Sequence, residues 1–188
     1  YDPEREYEQV KKLVARGADG LLLIGWDRPK KLFDFLKSRD FPTVVAWNMR
    51  AEDNVLCSGF DNREAARKLA EKVLGYGHRS IAMIAGVTAG NDRATDRLAG
   101  VRDAMSKLRS GSRKLRVIEA PYTLDCGARA FQKLITEKPQ PTAVICGNDV
   151  LAVGALGEAK RMGMNVPHDV SITGYDVIDL STVTDPPL

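Results

Sequence analysis

The sequence holds 188 residues, 44% hydrophobic and 28% charged, with a net charge of +3, a composition suited to a folded chain with one large core or two small ones. Its apolar runs, such as GLLLIG at 20–25 and SIAMIAG at 80–86, are far shorter than the roughly 18 residues of a membrane-spanning helix, and no charged-then-apolar leader opens it, so no membrane association is expected. No block of Lys and Arg stands out, and these residues carry no clear electrostatic footprint for a nucleic-acid backbone.

The chain opens on a helical stretch, YDPEREYEQVKKLVARGADG, with Tyr7, Val10, Leu13 and Val14 on one side. Apolar runs at 20–24, 43–46 and 55–58 read as strands. Asp61 or Asn62 then caps a helix with apolar positions at Leu69, Ala70, Val73 and Leu74. A strand at 80–85 leads to a helix marked by Leu98, Val101, Met105 and Leu108. The next strand, 116–120, leads to one marked by Leu124, Ala128, Phe131, Leu134 and Ile135. After the strand at 143–146 come Leu151, Ala155, Leu156, Ala159 and Met162 at helical spacing, then a seventh strand at 171–175. No helix is expected after it, and the chain closes on TDPPL.

Strands alternating with helices imply an α/β fold of parallel sheets covered on both faces. A parallel sheet that begins with a helix and stops in a Pro-Pro turn reads as part of a longer chain. The turn LGYGHRS, 74–80, is either the crossing between two α/β lobes or a helix C-cap at Gly75 or Gly77. Cys57, Cys126 and Cys146 are odd in number and form no C-x-x-C, so they read as free core thiols, which leans to a reducing cytoplasm.

Catalytic signatures are not found. Neither His78 nor His168 has a metal-ligand partner at short spacing, and the sequence contains no G-x-S-x-G elbow, phosphate-binding P-loop or dinucleotide fingerprint. No catalytic residue, metal or cofactor is therefore assigned. The polar residues suggest a binding site instead. Asn91, Arg93, Tyr122, Asn148, Asp149 and Asp176 fall just past strand ends or at helix starts, with Arg97 one turn in; in a parallel sheet such positions share one rim. Trp26 and Asn48 also follow strands and supply a second wall, although Trp26 and Trp47 read equally well as core. Carboxylates accept from vicinal hydroxyls, a guanidinium offers a planar fork, and an aromatic ring covers the C–H face of a pyranose, so the set suits a sugar.

In their order and spacing, RGADGLLLIG, FPTVVAWN, FDNREAARKLAEKVLGYGHRSIAMIAG, DRLAGVRDAM, the 141–176 stretch ending in GYD, and the final DPPL resemble the ligand-binding core of lac repressor (LacI) type transcription regulators. That family is related in fold to periplasmic sugar-binding proteins. The resemblance implies two doubly wound parallel-sheet lobes with a ligand cleft between them, incomplete at both ends. The first lobe would run over 1–77 and the second over 78–188. By the same resemblance Arg97 of the R-x-x-G helix start, loop residues Asn91 and Arg93, the aromatic Tyr122, Asn148 and Asp176 contact the effector, while Asp149 caps a helix. Arg93 stands at a variable position and admits a sugar acid or phosphorylated sugar, and Val177 replaces a usual acid.

The implied function is effector binding, by a sugar or sugar derivative, that controls affinity for operator DNA. The DNA would be read by a helix-turn-helix absent from this sequence. A periplasmic sugar-binding protein is the alternative, and an enzyme would need a nucleophile or base not located. A homodimer is expected, through the apolar 151–162 helix with Gly154 and Gly157, and lobe closure is expected to bend the turn at 75–78.

Overall fold

The computed structural model describes residues 3–50, 55–107 and 114–188. The chain divides into two compact units, one formed by residues up to Asn62 with Thr88–Thr95, the other by Arg63–Val87 with Asp96–Leu188.

The first unit holds α1 (Pro3–Ala15), β1 (Leu21–Ile24), α2 (Lys30–Lys37), β2 (Thr43–Ala46) and β3 (Leu56–Ser58). The strands form a parallel sheet in the order β1-β2-β3, with Leu22 opposite Val44 and Val44 opposite Leu56. Val10 of α1 and Leu32 and Leu36 of α2 bury against Leu23 and Val45. Tyr7 meets Phe35 edge to face, the ring centroids 5.9 Å apart. Leu13, on the same stripe of α1, stays exposed. The sequence reading did not single out α2, whose buried residues are spaced one turn apart within only 8 residues.

The second unit takes all but the first residue of α3 (Asn62–Gly75), then β4 (Ile81–Gly86), the part of α4 (Asp92–Ser106) from Asp96 onward, β5 (Arg116–Ala120), α5 (Leu124–Thr136), β6 (Ala143–Cys146), α6 (Asp149–Arg161), β7 (Ser171–Thr173) and the single turn α7 (Asp179–Thr182). Its sheet is parallel with order β5-β4-β6-β7. Every residue of β4 and β6 is buried, because helices cover both faces, so these strands are apolar throughout rather than alternating. The strand period still sorts the side chains. Ala82, Ile84, Val144 and Cys146 face α5 and α6, with Phe131, Leu134 and Leu151; Ile81, Met83, Ala143 and Ile145 face α3 and α4, with Ala70, Val73, Leu98 and Val101.

Four sequence expectations change. A helical turn, α7, does follow the last strand. That strand ends at Thr173, two residues early, because the chain leaves the sheet where Asp149 captures the backbone of Tyr175. Trp47 is not core: it is 59% exposed at φ +70°. Gly154, expected to admit a second copy, admits α5 instead, since a Cβ there would stand 2.1 Å from Leu124 O. Leu108, expected to mark a helix, lies outside the described residues. Gly77, at φ +96°, donates its N–H to Leu74 O and closes α3.

Burial pushes the Cys146 thiol well above its ordinary pKa, whereas Cys57 and Cys126 are half-buried. In the folded protein Cys126 should therefore react with iodoacetamide well before Cys146, as read by mass spectrometry of timed quenches. Phe131→Ala, which empties a fully buried site, should cost about 3 to 5 kcal/mol in chemical denaturation.

Candidate functional site

In the second unit the strands end on one rim, followed by Val87 after β4, Tyr122 after β5, Asn148 after β6 and the 174–178 stretch after β7. Arg97, in the second turn of α4, is 8% exposed. Its Nη1 donates to Gly147 O at 2.7 Å and its Nη2 to Asp176 Oδ1 at 3.0 Å, while the guanidinium carbon stands 3.9 Å from the Tyr175 ring centroid. A cation with so little water around it needs an opposite charge and directed acceptors, and a planar guanidinium can meet both while stacking on an aromatic face. The Asp176 side chain is 37% exposed, so its carboxylate faces both Arg97 and solvent.

The Tyr122 ring crosses the end of β4, where a Cβ on Gly86 would meet its hydroxyl oxygen at 2.1 Å. It remains part-exposed, an apolar face next to polar neighbours. Asn148 is extended, at φ −159° and ψ 173°, and its Oδ1 accepts the Leu151 N–H at 3.0 Å. Asn148 is therefore the cap of α6, not Asp149, because capping belongs to the extended residue just before the helix. Asp149 is one residue too far in. It is buried, and its carboxylate accepts from Tyr175 N–H at 2.7 Å and Ile178 N–H at 2.8 Å.

The first unit has its own buried carboxylate, Asp92. Its Oδ2 accepts from Trp26 N–H at 2.9 Å and Asn48 Nδ2 at 2.7 Å, and its Oδ1 pairs with Arg93 Nη1 at 2.9 Å. Arg93 Nη1 also donates to Ile24 O. The indole Nε1–H of Trp26 donates to Asn48 O at 2.9 Å, and the ring stacks on Phe33. Asn91 Oδ1 accepts from Ala94 N–H and so caps α4. Asp92 thus holds the loops after β1 and β2 to the start of α4.

Residues 70–188 match the family described as periplasmic binding protein-like domain. The chain belongs to this family. Within the periplasmic binding protein-like family it is a lac repressor-type ligand-binding core. It is 34% identical over 188 residues to the HTH-type transcriptional repressor CytR of Escherichia coli (strain K12), covering 98% of this chain and 54% of that protein. Among solved structures, a putative transcriptional regulator LacI from Bacillus cereus superimposes with a TM-score of 0.87 at 28% identity, covering 100% of this chain and 67% of that one. The transcription regulator GntR from Chromobacterium violaceum gives 0.88 at 26%, covering 100% and 69%. The chain spans about half the length of the curated relatives it matches.

For this family member, the expected site residues fall into two groups. Arg97, Tyr122, Asn148 and Asp176 lie on the rim of the second unit, and Trp26, Asn48, Asn91 and Arg93 lie in the first. A cavity of about 930 Å³ in the first unit takes only Trp26 from this set. Asp92 was not anticipated, although an acid at a helix start beside an arginine in NDRATDR was the available signal. Removing its carboxylate takes the Asp92 charge from the buried Arg93 guanidinium and the acceptor from the Trp26 N–H and the Asn48 amide, so Asp92→Ala should destabilise the fold by about 3 to 5 kcal/mol in chemical denaturation. Asn148→Ala, which removes the α6 cap, should cost about 1 kcal/mol in the same measurement.

Proposed function

We propose that this chain is the effector-binding core of a lac repressor-type DNA-binding transcription regulator. The observation that carries this reading is the Arg97–Asp176 pair, held on the carboxyl rim of a parallel sheet with Asp176 partly open to solvent. A preformed pair of this kind sets guanidinium N–H donors beside a carboxylate acceptor, the complement of a polyhydroxylated molecule. Tyr122 supplies a face for its C–H surface, and Asn148, Trp26, Asn48, Asn91 and Arg93 complete the proposed ligand contacts.

The effector is a neutral sugar or sugar derivative. Arg93, whose position admitted an anionic ligand on sequence grounds, is 7% exposed and paired with Asp92, and Arg97 is paired with Asp176. Both guanidinium charges are balanced, and a phosphate would bring roughly two more negative charges beside these carboxylates. The regulator works in the cytoplasm without catalysis, as a homodimer, and meets operator DNA through a helix-turn-helix outside these residues. Support for regulation rather than transport comes from matched relatives, such as CytR, that are named as transcriptional repressors.

Calorimetric titration of the full-length protein with neutral sugars and nucleosides, each beside its phosphorylated form, tests the reading. The neutral member of a binding pair should bind at least about ten-fold tighter. Arg97→Ala and Asp176→Asn should each weaken that binding by roughly ten-fold to a hundred-fold. Unchanged affinity in both variants, or a preference for the phosphorylated form, would overturn the proposal.

A further inference from the structure

Two consecutive residues of the loop after β7, Asp176 at φ +102° and Val177 at φ +58°, lie in left-handed backbone space without being glycine. Side-chain sterics disfavour that region, most of all for a β-branched residue such as valine. Packing does not hold Val177 there, since it is 77% exposed. The loop therefore needs a restraint from outside its own sequence.

Asp149 supplies it. One carboxylate oxygen accepts the N–H of Tyr175 and the other accepts the N–H of Ile178, the two amides that bracket Asp176 and Val177. The Asp149 N–H donates in return to Tyr175 O at 2.9 Å. The carboxylate is buried at the base of the loop, where hydrogen bonds to an ionised acceptor are stronger than neutral ones. Gly174 makes the approach possible, because a Cβ there would stand 2.1 Å from Asp149 Oδ1.

We infer that Asp149 is a positioning residue for the effector site: it clamps the left-handed turn and so delivers Asp176 to Arg97. Its functional meaning rests on the effector-binding reading above, although the clamp itself is a property of the second unit alone. Asp149 acts through Asp176 and requires no contact with the effector.

The test uses the full-length protein without effector. Asp149→Asn keeps the size of the side chain but replaces one acceptor oxygen with an amide that cannot accept an N–H. Amide exchange at Tyr175 and Ile178 should then accelerate by about ten-fold or more, with β4 and β6 unchanged, and a crystal structure of the variant should show Asp176 beyond hydrogen-bond reach of Arg97. Gly174→Ala attacks the same clamp from the opposite side, by displacing the carboxylate, and should give the same selective release.

Intact protection of the two amides with the Arg97–Asp176 pair still formed would overturn the inference. An even loss of protection along α6 would also overturn it, since Asp149 would then merely support the helix. Loss of folding in both variants would count the same way. Because no effector is present, this outcome is separate from the titrations of Arg97→Ala and Asp176→Asn, which can fail while the clamp stands.

Discussion

The buried guanidinium of Arg97 ties together the parts of the second unit that face the candidate site. A charge with so little access to water is tolerated only where a carboxylate and fixed acceptors replace its hydration. Here those are Asp176, Gly147 O and the face of Tyr175, which come from the loops after β6 and β7. One side chain on α4 therefore sets the mutual position of three segments that are distant in sequence. In the first unit the same constraint appears with opposite sign. The buried carboxylate of Asp92 collects Trp26, Asn48 and Arg93, and these contacts count the 88–95 segment with that unit.

The second-unit constellation stands past strand ends because the strands leave no room for it elsewhere. β4 and β6 are covered on both faces, so a charge inside either would have no partner. Only where the strands stop do backbone carbonyls and amides become available to side chains, and Gly147 O, Tyr175 N–H and Ile178 N–H are groups of that kind. The close seam of α5 and α6, where Gly154 lies against Leu124 O, backs the same rim with a tightly packed layer. The sheet supplies a rigid frame and the loops supply chemistry.

The exchange of roles between Asn148 and Asp149 shows how a neighbouring pair divides its work. Both residues can cap a helix, and both are acceptors. Asn148 takes the cap because it is the last extended residue before α6. Asp149, one residue on, points into the unit and meets the returning chain at Tyr175 and Ile178. A carboxylate can accept two amides at once, one on each oxygen, which the single side-chain oxygen of Asn148 cannot match while it caps.

The sequence by itself determined the alternation of strands and helices and the parallel α/β class, because hydrophobic periodicity is a local signal, and the order and spacing of its motifs carried the resemblance to the family. Seven strands and five helices lie close to where the periodicity put them, and Arg97, Tyr122, Asn148 and Asp176 do stand on one rim. What it could not determine was which polar groups would be spent on one another. The pairing of Arg93 with Asp92, the clamp of Asp149 on the loop of Asp176, and the use of Gly154 by α5 each join residues far apart or turned in directions that no local pattern encodes. Those partners exist only after the sheets form, since desolvation selects, among many acids and bases of equal propensity, the few that the fold has brought within 3 Å of each other.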